Sequence, residues 1–426
     1  MATPTLALIP TGYKAGKLYS VLPESGVGDF TVVRATEATR VNEEGLIETM
    51  GANVPRLDYS GGGCPVLLTE PQRTNLITYS EDFSDSSWDK SNLSVTSNAI
   101  ISPNGALNAD KLIPTSVSGT HRAKATLATV NGDYTLSIFA KKGEYKNILL
   151  WDDSIGGGVG VNLDDLSVFR DVNNQGYKIE DYGNGWIRIS IDLTYASQQI
   201  RFATYVYDNS ATPQITFVGN DSDGLYIYGA QLEANASYPT SYIKTEGSAV
   251  TRNADQVNGA GDAATFNDSE GVLMAEISTL ANDLTNRRIS ISNGTTSDND
   301  RINLMYTSAS NQIVINYKAS GTTRVSFSYT LNDVTDYNKV LMLYKSGDFR
   351  FYVNGFKLDT DSNTTMIADG TLSELAFEDA TNGNPFYGNT KQIQYFNSAL
   401  TDSELETLTS WTSFIEMAQA QNYNII

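Results

Sequence analysis

Apolar and polar residues alternate with a period of two along most of the chain, the pattern of strands with one face buried. Tyr134, Leu136 and Ile138 alternate with Thr135, Ser137 and Phe139, and Ile187, Ile189, Ile191 and Leu193 with Arg188, Ser190 and Asp192. Phe202, Thr204 and Val206 alternate with Ala203, Tyr205 and Tyr207, and the run Leu225 to Leu232 closes this first block of strands. A second block begins near Gly271 and includes Ile313, Ile315 and Tyr317, then Val325, Phe327 and Tyr329. Asn131-Gly132, Lys142-Gly143 and Asn184-Gly185 predict turns, and Asp348 to Leu358 predicts a hairpin turning at Asn354-Gly355, because glycine accepts positive φ. Gly156 to Gly160 lacks the Gly-Lys-Ser/Thr ending and following helix of a phosphate loop, and reads as a flexible loop. The expected fold class is all-β: an extended N-terminal region plus two tandem β-sandwich (jelly-roll) domains.

The spacing of these runs sets the expected boundaries. Residues 1–75 carry Pro10, Pro23, Pro55, Pro65 and Pro71 among short apolar runs, a density that breaks helices and central strands and predicts extended pieces and turns. That segment either docks on another protein or wraps a neighbouring domain. Residues 76–245 form the first sandwich, 246–254 a linker, 255–412 the second sandwich and 413–426 a C-terminal tail. Near the end of the second sandwich, Thr401 and Glu404 have capping-box spacing, and Leu405 and Leu408 recur at helical spacing.

With 29 Lys and Arg against 49 Asp and Glu, the net charge is −20, which argues against nucleic acid or an anionic membrane surface as partner. No segment approaches the roughly 18 consecutive apolar residues of a membrane span, and no export signal is expected at the N-terminus. Cys64 is the only cysteine, so no intrachain disulfide can form, and its glycine-rich setting reads as a small packing residue. His121 is the only histidine, expected in a loop or at a strand edge, which removes Ser-His-Asp, Cys-His and multi-histidine metal chemistry.

Several long motifs resemble a family of bacteriophage virion fibre proteins in which a carbohydrate-binding-module-like jelly roll is followed by a laminin-G-like domain. They are GAQLE followed by YPTSYIKTEGSAVTRNAD, the stretch Asp29 to Glu48, and the stretch Asn53 to Phe83. KVLMLYKSGDFRFYVNGFKL with GNTKQIQYFNSALTDSELETL resembles the closing strands of laminin-G and concanavalin-like sandwiches. The resemblance implies a non-enzymatic fibre or spike subunit, a homotrimer, assembled in the host bacterial cytoplasm and displayed on the virion surface. It implies attachment to a capsid or tail protein through the N-terminal region, a head fibre slightly before a tail fibre, and binding to host-surface or matrix polysaccharide.

Glycans are held by aromatic rings that stack on the apolar face of a pyranose, flanked by polar groups. Trp151, Asp152, Asp153, Tyr205 and Tyr207 are the candidates for such a surface, while Trp186, which opens an alternating strand, reads as core. A polysaccharide depolymerase or other glycoside hydrolase needs only two carboxylates, and a purely structural decoration needs no site; both remain alternatives. The E-x-D-x-x-E strand motif of concanavalin-like glycosidases does not occur. Ca²⁺ is the one cofactor the residues offer, at Asn220, Asp221 and Asp223 or at Asp298, Asn299 and Asp300, although such Asx-rich loops read first as solvated turns. The resemblance does not support it, since related jelly rolls often place a calcium-binding Asp where this chain has Gly229.

Overall fold

Short apolar strands must find backbone and side-chain partners outside their own segment, and the N-terminal residues show where they find them. The computed structural model describes residues 2–294, 299–379 and 383–421. One compact unit comprises Ala38–Thr49 and Gln72–Asn253, the other Met1–Glu37, Met50–Pro71 and Ala254–Ile426. The first 75 residues are therefore not a separate extended region. Leu6–Leu8 pairs antiparallel with Gly388–Phe396, Val66–Thr69 pairs with the same strand, and Arg56–Asp58 pairs with Val66–Thr69. Leu6, Leu8, Leu18, Phe30, Val32, Leu57 and Leu67 are buried in the core of the unit that holds the second sandwich. Left extended, they would expose that apolar surface to water.

This second unit is a sandwich of an eight-stranded and a five-stranded antiparallel sheet. Inward residues such as Leu273, Ala275, Ile277, Ile289, Ile302, Leu304, Phe351 and Ile393 form one core. The other face of the eight-stranded sheet is covered by helix α1 (Asp402–Thr409), whose Leu405 and Leu408 pack on Val272, Met274, Leu341, Leu343 and Tyr352. The predicted capping box is present, Thr401 accepting from the Glu404 amide and Glu404 from the Thr401 amide. The predicted tail holds a second helix, α2 (Phe414–Ala420), capped by Ser413. Asn354 and Gly355 take φ of 50° and 88° in the predicted hairpin turn.

In the first unit the strands Ser118–Lys141 and Ile187–Tyr207 pair antiparallel along most of their lengths. Their core partners include Leu136, Ile138, Ile148, Leu150, Ile189, Ile191, Phe202, Val206 and Ile227. Asn131-Gly132 is not a turn: the two residues lie inside the long strand, opposite Ala196 and Tyr195, next to a break in register. Gly132 uses its φ of 108° to bend a continuing strand rather than to reverse it. Gly156 ends a turn, but Gly157 to Gly160 is likewise no loop, since Gly157–Asn162 pairs on both sides, with Asn147–Asp152 and with Val168–Val172. A Cβ on Gly158 would lie 2.0 Å from the Leu150 carbonyl oxygen, so the approach of the strands requires glycine there.

The predicted linker also contains structure. Val250–Arg252 pairs with Arg73–Asn75, and the buried Arg252 donates to Ser241 Oγ at 2.8 Å. His121 lies within the long strand, fully buried, with Nδ1 2.6 Å from the Asn92 carbonyl oxygen and Nε2 3.1 Å from that of Phe217. Cys64 is exposed rather than packed. Among the described residues no helix is long and apolar enough to cross a membrane.

Candidate functional site

Antiparallel register decides which side chains share a sheet face, because directly opposed residues project to the same side. Trp151 is opposite Ala203, Leu149 opposite Tyr205 and Asn147 opposite Tyr207. On the neighbouring strand Arg122 is opposite Tyr205 and Lys124 opposite Ala203. Trp151, Tyr205, Tyr207, Arg122 and Lys124 therefore lie on one outer face of the first unit, away from the core that holds Ile148 and Leu150. Gly158 and Gly160, opposite Trp151 and Leu149, add no side chains to that face. In the space above Gly160 lies Phe169, whose ring is tilted 52° to that of Tyr207 at a centroid distance of 5.1 Å.

Four of the five predicted glycan-contacting residues meet here. Trp151 is half-buried, and the Arg170 guanidinium lies 4.7 Å from its ring centroid. Asp153 accepts from the Tyr205 hydroxyl at 2.6 Å and from Arg122 Nη1 at 3.2 Å, while Arg122 also donates to the Tyr205 hydroxyl at 3.1 Å. Lys124 lies 3.7 Å from both Asp153 and Asp89. Burial, then the hydrogen bond to Asp153, pushes the Tyr205 phenol up to about 12.

Two expectations change. Tyr205 and Tyr207 are 6% and 3% exposed, so they form the base of the patch and not its stacking surface. Tyr205 offers its hydroxyl through the Arg122–Asp153 triad, and Trp151 with Arg170 supplies the accessible flat surface. Asp152 does not belong to the site. Fully buried, it accepts from the Ser154 and Ile155 amides, from the Tyr195 hydroxyl at 2.9 Å and from the Arg201 amide at 2.7 Å. Sequence reasoning missed Arg122, Lys124 and Arg170. Arg122 and Lys124 occupy alternate positions of a strand, a signal readable once the register to Tyr205 is known.

A separate cleft of about 450 Å³ in the same unit is lined by Glu81, Asp82, Asp110, Lys244 and Glu246, among others. Burial, reinforced by Asp82 and Glu81, raises Asp110 to about 6. Both its oxygens accept backbone amides, from Asn98 at 3.0 Å and Phe83 at 2.9 Å. Glu81 accepts from the hydroxyls of Tyr228 and Tyr242 and from Asn108.

The Ca²⁺ candidates are engaged as turns. Asn220 Oδ1 accepts the Ser222 and Asp223 amides, its Nδ2 donates to Asp223 at 2.6 Å, and Asp221 is held below its usual range by bonds from Ser116. Asp300 accepts the Ser320 amide, and Asp298 lies outside the described residues. Among the described residues no group of His, Cys, Asp or Glu is arranged to hold a metal ion.

The long motifs at the N-terminus and at the end of the first sandwich converge on buried clasps. In the unit of the second sandwich, Arg34 Nη1 lies 2.8 Å from Asp255, Arg56 bridges Asp255 and Glu70, and Glu70 donates its amide to Asp255. In the first unit, Asn75 donates to the carbonyls of Ala230 and Ile243, and Gln231 accepts the Ile243 amide at 2.7 Å. These motif residues hold the fold together and form no exposed site.

Residues 275–406 match a family described as the concanavalin A-like lectin/glucanases superfamily. No curated protein sequence matches the chain. Among solved structures the chain is similar to the CBM40 of a Ruminococcus gnavus IT-sialidase bound to α2,3-sialyllactose, with 16% identity and a TM-score of 0.30, covering 35% of this chain and 92% of that one. It is similar to the binding domain of botulinum neurotoxin serotype G, with 11% identity and a TM-score of 0.31, covering 36% and 40%. A leech intramolecular trans-sialidase complexed with 2,7-anhydro-Neu5Ac gives 17% identity and a TM-score of 0.30, covering 35% and 24%.

Proposed function

We propose that the chain is a non-enzymatic fibre or spike subunit of a bacteriophage virion that binds host-surface or matrix polysaccharide through the outer sheet face of its first unit. The observation that carries this reading is the convergence of Trp151, Arg170, Arg122, Asp153 and Tyr205 on one face. It combines a flat aromatic and guanidinium surface with fixed donors and acceptors, the combination that orients a sugar ring. Arg122, Lys124 and Arg170 gather there with Asp153 and Asp89, three cations to two carboxylates in a chain of net charge −20, a local excess that favours carboxylated sugars over neutral ones. Weak single sites suffice when copies act together, so a homotrimer fits the reading. Attachment to a head protein, before a tail protein, is assigned to the N-terminal residues on the motif resemblance. Ile9, Tyr19, Val21, Val27 and Val33 are exposed there and offer apolar surface to such a partner.

The alternative of a glycan hydrolase has one observation in its favour, the raised Asp110 in a polar cleft. The backbone bonds to both its oxygens make it a loop anchor in the present reading.

The test is binding of the fluorescently labelled full chain to host cells before and after enzymatic removal of surface polysaccharide. Binding should disappear on stripping, fall at least about tenfold in the double variant Arg122→Ala/Trp151→Ala, and release no new reducing ends. Binding that survives stripping would refute the glycan reading, and new reducing ends would establish the hydrolase.

A further inference from the structure

The second sandwich carries an aromatic surface of its own, at the edges of its two sheets. Phe356, at the start of the edge strand Phe356–Asp361, is 71% exposed, and Tyr329, near the end of the strand Thr322–Thr330, is 41% exposed. With Trp411 and Met417 they line a cavity of about 210 Å³, to which Asn332 and Gln421 add amides. An adjoining open groove of about 410 Å³ shares Phe356, Trp411 and Met417 and adds the hydroxyl residues Ser410 and Ser413.

The walls are held in place. Asn354 accepts the Lys339 amide at 2.9 Å and donates to Asn338, and Gly355 lies so close to Ser410 that a Cβ would come 2.9 Å from its hydroxyl. That turn presents Phe356 to solvent. Lys339 Nζ lies 4.3 Å from the centroid of the Trp411 ring and donates to the Ser410 carbonyl at 3.0 Å, fixing the ring from the side of the sheet. Gln421 is oriented by its bond to the Tyr337 carbonyl oxygen at 2.6 Å.

Among the described residues, none lining the cavity or the groove is charged, in a chain with 49 acidic residues. An uncharged aromatic cleft edged by amides and hydroxyls suits a ligand with apolar C–H faces and many hydroxyls but no charge. We infer that this cleft is a second glycan site, specific for neutral hexose or N-acetylhexosamine units, and independent of the cationic patch of the first unit.

The test uses the full chain with two probe sets, neutral tetrasaccharides (cellotetraose, maltotetraose, chitotetraose) and an acidic one (tetragalacturonate), read by saturation-transfer NMR and calorimetry. A neutral probe should bind wild type, lose at least about tenfold in Phe356→Ala and in Tyr329→Ala, and be unaffected by Arg122→Ala. Both aromatic side chains are exposed enough that alanine should leave thermal stability unchanged. Failure of every neutral probe to bind wild type overturns the inference, as does neutral binding indifferent to both aromatic variants. A wild-type oligomer that Phe356→Ala dissociates also overturns it, making the cleft an interface between copies. Failure of the acidic probe to bind wild type, with neutral binding intact, would instead count against the function proposed for the first unit.

Discussion

The two units dispose of their outer sheet faces in different ways. In the unit of the second sandwich, helix α1 covers the outer face of the eight-stranded sheet, and Leu405 and Leu408 remove it from water. In the first unit, one outer face is closed by Ile47, Trp186, Tyr228 and Tyr242 around Phe139. The other carries Trp151, Arg122 and Tyr205, and among the described residues of this unit there is no helix to cover it. A sheet face sealed by packing cannot recognise a ligand, so the site proposed for the second sandwich lies at the strand edges around Phe356, and the one proposed for the first unit on the face itself.

The segments that join these units to the N-terminal residues also differ in chemistry, and the largest expected effect tests this. Asp255→Ala leaves the buried Arg34 and Arg56 without a shared carboxylate and should cost about 3–5 kcal/mol in urea unfolding. A loss below about 1 kcal/mol would mean that apolar packing alone holds these segments. The covering helix depends on less: Thr401→Ala removes one half of the capping box and should cost about 1 kcal/mol. If it also exposes dye-binding apolar surface, the helix is what seals the sheet.

A pH dependence of stability is expected from Asp110 in the first unit. Asp110 sits near 6 in the native state, above its unfolded value, so the native state binds more protons between about pH 4 and 6. Its contribution is greatest in acid and is lost as pH rises through about 6, so Asp110→Asn should flatten the stability profile over that range. Asp402, in the other unit, has the opposite sign. Bonds from Tyr352 and Lys357 hold it to about 2, so its contribution is lost only on strong acidification. A profile unchanged by Asp110→Asn would show that its amide bonds, not its burial, govern its titration.

Strand positions were legible because alternation survives folding. Ile187 to Leu193, the Asn354-Gly355 turn and the Thr401–Glu404 box all stand as local patterns predict, since each depends on neighbours within a few residues. The candidate site was legible in part. Trp151, Asp153, Tyr205 and Tyr207 were found as aromatic and acidic residues on alternating strands, but Asp152, adjacent in sequence, projects to the opposite face. The burial of Tyr205 and Tyr207 depends on Arg122, Asp153 and Phe169, which come from three other segments.

By itself, then, the sequence determined the all-β class, the places where strands run, and the exclusion of histidine- and disulfide-based chemistry, because composition and period-two patterning are local properties of the chain. Only the tertiary structure decided that Asn131-Gly132 bends a strand instead of reversing it, and that Gly157–Asn162 is an inner strand. It also decided that Met1–Glu37 and Met50–Pro71 belong with the second sandwich while Ala38–Thr49 belongs to the first unit. The physical reason is common to all three. Whether a glycine turns, bulges or allows close approach, and which sheet edge takes up a short apolar strand, depends on backbone partners outside its own segment, such as Tyr195 for Gly132, Tyr395 for Leu6 and Trp151 for Gly158.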